Sequence, residues 1–125
     1  MMKKAILVLS FLSLIGCGDD DNDFTIIAAC EVNNPIEELP WLKNQVDDIE
    51  NNEGDIAKYF FIEIADYNSQ TVFISNNCCP VCNTVVPVFD CEGRSLGLLG
   101  SDILPNELSN TRIIFKREDF SCQGN

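Results

Sequence analysis

The sequence predicts an α+β fold in which one amphipathic helix packs on a four- to five-stranded antiparallel meander, in two layers stapled by disulfides. Apolar residues recur at helical spacing within residues 39–49, which is typical of a helix that covers a sheet. From residue 57 onward the apolar period changes to two, which indicates half-buried strands. Seven cysteines in 125 residues add a cross-linked framework. These patterns predict a single α+β domain over residues 25–125.

The helical region has a clear start signal. Asn34 and Pro35 suit the N-cap and first helical positions, and acidic residues follow in the first turn. Pro40 interrupts that turn, so we expect a one-turn helix followed by a main helix over residues 40–51. The apolar stripe of this helix consists of Leu39, Leu42, Val46 and Ile49.

Turn residues divide the second half of the chain into strands. Pro87 indicates an open edge or a bulge near the middle of its strand, and Gly93 ends a tight turn over residues 90–93. An apolar run at residues 24–29 is either a first strand or an extended segment laid on the core. The main strands are expected over residues 60–65, 71–75, 84–90, 95–99 and 111–116.

The N-terminal segment resembles the signal peptide of a bacterial lipoprotein. Lys3 and Lys4 precede an apolar run over residues 5–15, and Gly16 stands directly before Cys17. This arrangement resembles a lipobox, so residues 1–16 are expected to be removed and Cys17 to carry the lipid. Eleven apolar residues rise only about 16 Å as a helix against a bilayer core of about 30 Å, which disfavours a membrane-spanning helix. An ordinary cleaved signal would leave Cys17 as an oxidisable thiol.

The acidic residues after Cys17 predict a tether and a location at the cell surface. Residues 17–24 read as the lipidated cysteine and a solvated, acidic tether. Asp19, Asp20 and Asp21 resemble the export signal of surface lipoproteins of Bacteroidota. We therefore expect a protein of the cell outer membrane that is surface-exposed and contacts the membrane through the lipid on Cys17 alone.

Composition excludes several functional classes. The net charge is −12, and it becomes −14 once Lys3 and Lys4 are removed with the signal, which disfavours nucleic-acid partners. The chain has no histidine, so Ser-His-Asp and Cys-His catalysis and His-based zinc hydrolysis are excluded. No phosphate-binding glycine loop is present. We expect no enzyme activity, cofactor or metal.

Six cysteines remain once Cys17 is lipidated, and they predict three disulfides. Cys82 and Cys91 flank a predicted strand of about 25 Å, which is too long for a bond between them. Cys91 must then bond Cys30 or Cys122. Whichever of those two is left bonds one of Cys78, Cys79 and Cys82, and the last two cysteines of that trio bond each other. We favour Cys91 with Cys122, because a last strand antiparallel to residues 95–99 would end near the Cys91 turn.

Two other interpretations of the cysteines stay open. Cys79-Pro80-Val81-Cys82 resembles the CPxC motif of thioredoxin-like proteins, which exchange thiols and disulfides. A strand-like run follows it here, where those proteins place a helix. A zinc site on Cys78, Cys79, Cys82 and Cys91 has poor ligand spacing and would be opposed by an oxidising compartment.

The whole pattern resembles a group of small Bacteroidota lipoproteins. They share the segment N-P-x-E-x-L-P-W-L-K, present here at residues 34–43, followed by a strand pair and vicinal cysteines such as Cys78 and Cys79. The resemblance covers most of residues 17–100 and implies location and fold, without catalytic residues. Within the segment, Trp41 either packs on the sheet or on Pro35, or serves as an aromatic contact for a partner.

These observations favour a non-catalytic binding or accessory module that is lipid-anchored in the cell envelope and binds a protein or glycan. Two alternatives remain. The chain could exchange disulfides through Cys79 and Cys82, or inhibit an extracellular hydrolase by inserting a rigid loop over residues 76–83 into its cleft.

Overall fold

The computed structural model describes residues 28–122. It contains two α-helices, α1 (Pro35–Glu38) and α2 (Pro40–Glu50). They are separated by Leu39, whose backbone is extended (φ −98°, ψ 109°) because a residue before proline avoids the helical region. The predicted break at Pro40 is confirmed, and the main helix ends one residue earlier than expected. The predicted signal, Cys17, the acidic tether and residues 24–27 lie outside the described residues.

Five antiparallel strands form one sheet, and the α+β class is confirmed. Short 3-10 helices at Ala57–Tyr59 and Pro105–Glu107 precede the first and last strands. The sheet order is β4-β3-β2-β1-β5. The strands are β1 (Phe60–Tyr67), β2 (Gln70–Asn77), β3 (Pro87–Phe89), β4 (Ser95–Leu98) and β5 (Ser109–Lys116).

The sheet is a meander only through its first four strands. β5 does not lie beside β4; it pairs with β1 at the opposite edge, with Ile62 across from Phe115. The connection after β4 carries apolar side chains that pack with buried residues of the central strands, which leads the chain across the sheet. Its packed residues are Leu99, Ile103 and Leu108. A pure meander over all strands is therefore wrong.

β3 is shorter than the sequence suggests. The predicted strand over residues 84–90 is reduced to three residues that begin at Pro87. β3 lies between β2 and β4, and proline cannot donate to an internal ladder, so it is tolerated only at the first position of such a strand. Residues 83–86 consequently leave the sheet.

The buried side chains form two clusters on alternating positions of the central strands. One cluster joins Leu42 and Val46 of α2 to Ile62, Ile64, Phe73 and Ile114. The other contains Ala65, Val72, Ile74, Val88 and Ile103. Burial of a side chain of this size contributes roughly 1.5–3 kcal/mol, so both clusters support the sheet.

The two ends of the sheet are called the hairpin end, where the β1–β2 turn lies, and the cysteine end, where β2 leads into Cys78. At the hairpin end, Asn68 and Ser69 adopt left-handed φ angles of 51° and 65° and close the β1–β2 turn. At the cysteine end, β1 begins, and Phe60 pairs with Asn77, the last residue of β2. The eight residues of β1 span about 23 Å between these ends.

The first described residues and the segment after β5 lie at opposite ends of the sheet. Ala28 and Ala29 line a small pocket with Asp66 and Thr71 at the hairpin end. At the cysteine end, the Arg117 guanidinium donates to the backbone oxygens of Ile49 and Asn52 (3.0 and 2.7 Å) and thereby satisfies free carbonyls at the end of α2. Among the described residues, no helix has the length and apolar character needed to span a membrane.

Candidate functional site

The six described cysteines form three disulfides: Cys30–Cys91, Cys78–Cys122 and Cys79–Cys82. Their Cα atoms are 5.7, 5.7 and 5.4 Å apart, within the range that a disulfide requires. The favoured pairing of Cys91 with Cys122 is wrong, and the alternative through Cys30 is the one observed. The exclusion of a Cys82–Cys91 bond holds.

The position of β5 explains the error. Because β5 runs antiparallel to β1, its last residue Lys116 pairs with Phe61 at the cysteine end. Cys122 therefore arrives where β2 ends, next to Cys78. Backbone hydrogen bonds reinforce this junction, since Cys78 N–H donates to the Tyr59 oxygen (3.0 Å) and Ser121 N–H donates to the Lys58 oxygen (2.9 Å).

The Cys30–Cys91 disulfide lies at the hairpin end and is integrated with the core. Trp41 fastens α2 to it, since the indole Nε1–H donates to the Cys91 oxygen at 2.9 Å. The indole is half-buried, and its centroid lies 5.5 Å from the rings of Phe73 and Phe89. These contacts correspond to the packing interpretation of Trp41, whereas a partner contact through its remaining surface stays a prediction.

Asp90 organises the turn that carries Cys91. Its Oδ1 accepts hydrogen bonds from the backbone N–H groups of Glu92 and Arg94 (2.8 and 2.9 Å), and its Oδ2 accepts one from Arg94 Nε (3.0 Å). Burial opposes ionisation, but the backbone donors and the Arg94 guanidinium outweigh it, so the pKa of Asp90 lies below its ordinary value. The carboxylate therefore acts as a structural acceptor in a Cys91 turn that is fixed in place.

The strongest candidate for a functional surface is residues 78–86, which we call the cysteine loop. Val81 and Val85 have 85% and 62% of their surface exposed, although large apolar side chains are normally buried. The loop is held from below by Asn77, whose Oδ1 accepts from Cys79 N–H (3.2 Å) and whose Nδ2 donates to Thr84 Oγ1 (2.8 Å). It is thus apolar, exposed and fixed at its base.

The cysteine loop belongs to an uncharged part of a very acidic chain. No charged residue occurs between Tyr67 and Phe89, although Asp and Glu number 20 in the whole sequence. Next to the loop, an open pocket of about 440 Å³ is lined by Lys58, Tyr59, Cys78, Pro80 and Ser121. The sequence alone shows that residues 68–88 carry no charge, but it does not show that Val81 and Val85 are exposed.

The geometry around Cys79 differs from that of a thioredoxin-like active site. In those proteins the reactive cysteine starts a helix, whose N-terminus stabilises the thiolate. Here residues 80–81 form a turn and residues 82–86 have no regular structure, so no helix starts at the motif. Within residues 28–122, no group of three or more His, Cys, Asp or Glu side chains is arranged to hold a metal ion.

No family model, no curated protein and no solved structure matches this chain. The loop can bury apolar surface against a partner and offer backbone groups for hydrogen bonding. Its disulfide can also exchange with thiols.

Proposed function

We propose that this chain is a lipid-anchored protein of the bacterial outer membrane, exposed at the cell surface, that acts as a non-catalytic binding module through its cysteine loop. The observation that carries the proposal is the exposure of Val81 (85%) and Val85 (62%) in a loop whose base is fixed. The lipobox at Cys17, the acidic residues after it and the resemblance to small Bacteroidota lipoproteins support the location.

Binding through this loop is favoured by its rigidity. Association costs free energy when flexible segments must be ordered. The Cys78–Cys122 bond fixes the start of the loop, and the Cys79–Cys82 bond closes its tip around Pro80 and Val81. The loop can therefore bury its apolar tip with little loss of conformational entropy.

The course of the chain favours display of the loop away from the membrane. Described residues begin with Ala28 at the hairpin end, and the proposed tether from Cys17 leads to that end. The cysteine loop lies at the other end of β1, about 23 Å away. A domain held by its hairpin end presents the loop outward.

We infer further that α2 is the one amphipathic helix of a two-layer domain. Leu42 and Val46 of α2 share a buried cluster with Ile62, Ile64 and Phe73 of the sheet. The opposite side of α2 is exposed and ion-paired, with Lys43 Nζ 3.8 Å from Asp47 Oδ2. This packing supports a stiff platform beneath the loop.

A protein partner fits the loop better than a glycan. The exposed tip offers the apolar side chains of Pro80 and Val81, and apolar surface gains free energy when it is buried against other apolar surface. An apolar cleft in a partner protein would accept such a tip. Inhibition of an extracellular hydrolase is one form of this function, in which the loop fills the cleft that normally receives substrate.

Site-specific photo-crosslinking tests the proposal in intact cells that express the full chain. A photoreactive residue at position 81 should give a discrete adduct, because this side chain would be buried in the complex. Val85→Asp should reduce that adduct at least ten-fold. The control places the same residue at position 104, since Leu104 is also exposed (47%) but lies outside the loop.

The outcomes separate the loop from the rest of the surface. Absence of an adduct at position 81, or the same adducts from both positions, would exclude the loop as the contact surface. The anchor is tested separately, by mass spectrometry of acyl groups on Cys17 and by release of Cys17→Ser protein from the membrane fraction.

A further inference from the structure

We propose that the Cys79–Cys82 disulfide is a redox switch of the cysteine loop: a dithiol donor reduces it selectively, the loop loses its shape, and the folded domain releases its partner. The inference rests on the proposed function, which it extends by a means of regulation. It follows from how differently the three disulfides are embedded.

The Cys79–Cys82 bond is separable from the fold. It joins residues only three apart in sequence, and neither cysteine belongs to either buried cluster. Cys30 and Cys91, in contrast, pack against the cluster that includes α2. Short cross-links restrict the unfolded chain least, so loss of this bond leaves the global fold in place.

The Cys78–Cys122 bond is likewise supported by its surroundings. The residues beside it are joined by the backbone hydrogen bonds from Cys78 to Tyr59 and from Ser121 to Lys58. These hydrogen bonds keep Cys78 and Cys122 side by side after a thiol has attacked, which favours re-formation of their disulfide. The two structural bonds are therefore expected to resist reduction longer than the bond at the loop tip.

The shape of the loop tip, unlike the fold, depends on its disulfide. A four-residue turn is commonly closed by a backbone hydrogen bond between its first and last residues. Residues 80–81 form such a turn, but among the described residues no backbone hydrogen bond within ordinary distance and angle limits joins Cys79 to Cys82. After reduction, the contacts of Asn77 with Cys79 and Thr84 remain at the base, and only the weak turn contact at residues 80–81 is left to close the tip around Val81.

The loop is also accessible to a reductant. Pro80 and Val81 are exposed, and Cys79 and Cys82 are half-buried. Cys78 is also exposed and lines the open pocket together with Pro80, so accessibility alone does not separate the two disulfides. The selectivity rests on the hydrogen-bonded junction that holds Cys78 beside Cys122. Exposed disulfides are the ones that exchange readily. In the reaction, the Cys79–Cys82 bond breaks and two thiols form, while the dithiol donor loses two hydrogens and closes its own disulfide.

Graded reduction of the full chain in detergent, with dithiothreitol as the donor, tests the proposal. Alkylation and peptide mapping should label Cys79 and Cys82 at least ten-fold faster than the four other cysteines of the domain. Thermolysin cleavage before Val85 should then rise at least ten-fold, while the domain still unfolds in one cooperative urea transition. Labelling of all six cysteines at one rate, or unchanged cleavage, would overturn the switch.

The photo-crosslink at position 81 separates this inference from the proposed function. An adduct that forms on the oxidised chain and falls at least ten-fold after selective reduction supports both. An adduct that persists after reduction overturns the switch and leaves the binding function intact. No adduct in either state overturns the binding function and the switch with it.

A pair of double variants gives the same test without reductant. Cys79→Ser/Cys82→Ser should fold, show the increased thermolysin cleavage and lose the adduct. In Cys30→Ser/Cys91→Ser the tip disulfide is retained, so any folded fraction should keep the slow cleavage before Val85. Identical cleavage in the two variants would contradict a special role of the tip disulfide.

Discussion

Gly93 is the position at which one added methyl group should damage the domain most specifically. Its backbone is left-handed (φ +84°), and an added Cβ would lie 2.7 Å from Trp41 Cγ. The indole cannot easily move, because it donates to the Cys91 oxygen and packs on Phe73 and Phe89. Gly93→Ala therefore combines backbone strain with overpacking.

The two contributions can be estimated and measured separately. The left-handed conformation costs an L-residue about 1–2 kcal/mol, and overpacking adds about 1–3 kcal/mol, so Gly93→Ala should lose about 2–5 kcal/mol. Gly100→Ala is the matched control. Its backbone is also left-handed (φ +100°), but no heavy atom lies within 4 Å of the added Cβ, so only the loss of about 1–2 kcal/mol is expected.

Urea unfolding of the full chain with intact disulfides measures both variants. Trp41 is the single tryptophan of the sequence, so its fluorescence reports on the contact under test. If the free energies of unfolding of Gly93→Ala and Gly100→Ala agree within about 0.5 kcal/mol, the Trp41 contact is not what excludes a side chain at Gly93.

Three further predictions concern the same end of the sheet. Trp41→Phe keeps an aromatic ring but removes the donor to the Cys91 oxygen; unfolding followed by circular dichroism should show a loss of at least about 1 kcal/mol, and an unchanged midpoint would contradict the hydrogen bond. Asp90→Asn should destabilise the domain at neutral pH. Because the pKa of Asp90 is lowered in the folded state, the difference in free energy of unfolding between the variant and the native chain should shrink as the pH falls below about 3.9. A difference that is the same at low and neutral pH in urea unfolding would refute this. Removal of the Cys30–Cys91 bond by paired serines should lower the free energy of unfolding by about 4 kcal/mol, because the bond closes a loop with a 61-residue separation. Removal of the Cys79–Cys82 bond should lower it by about 2 kcal/mol. Equal losses in urea unfolding would show that loop length does not determine how much each disulfide stabilises the domain.

Local signals in the sequence were sufficient for the elements and for part of the disulfide pattern. Pro35 and Pro40 mark the helix starts because proline is tolerated only there. The alternation across residues 60–65 predicted β1, since side chains on a strand alternate between its faces. The length of the segment from Cys82 to Cys91 excluded a bond between them. Each inference depended on residues close together in the chain.

The position of β5 and the partner of Cys122, which the sequence predicted wrongly, depend on contacts between residues far apart in the chain. Whether β5 pairs with β4 or with β1 is decided by the burial of the connecting residue Ile103, which no local pattern shows. The partner of Cys122 follows from that choice. The close approach of Trp41 to Gly93 also joins a helix to a remote turn, so the sequence predicted a turn glycine there but not the contact that requires it.

The disulfide between Cys78 and Cys122 also determines where the protein can be labelled or immobilised. A tag, fluorophore or fusion partner attached directly after Cys122 starts from a residue that this bond holds beside Cys78, at the surface whose interactions are to be measured. The β1–β2 turn at Asn68 and Ser69 is exposed and lies at the far end of the sheet. An epitope inserted there leaves the approach to the loop unobstructed.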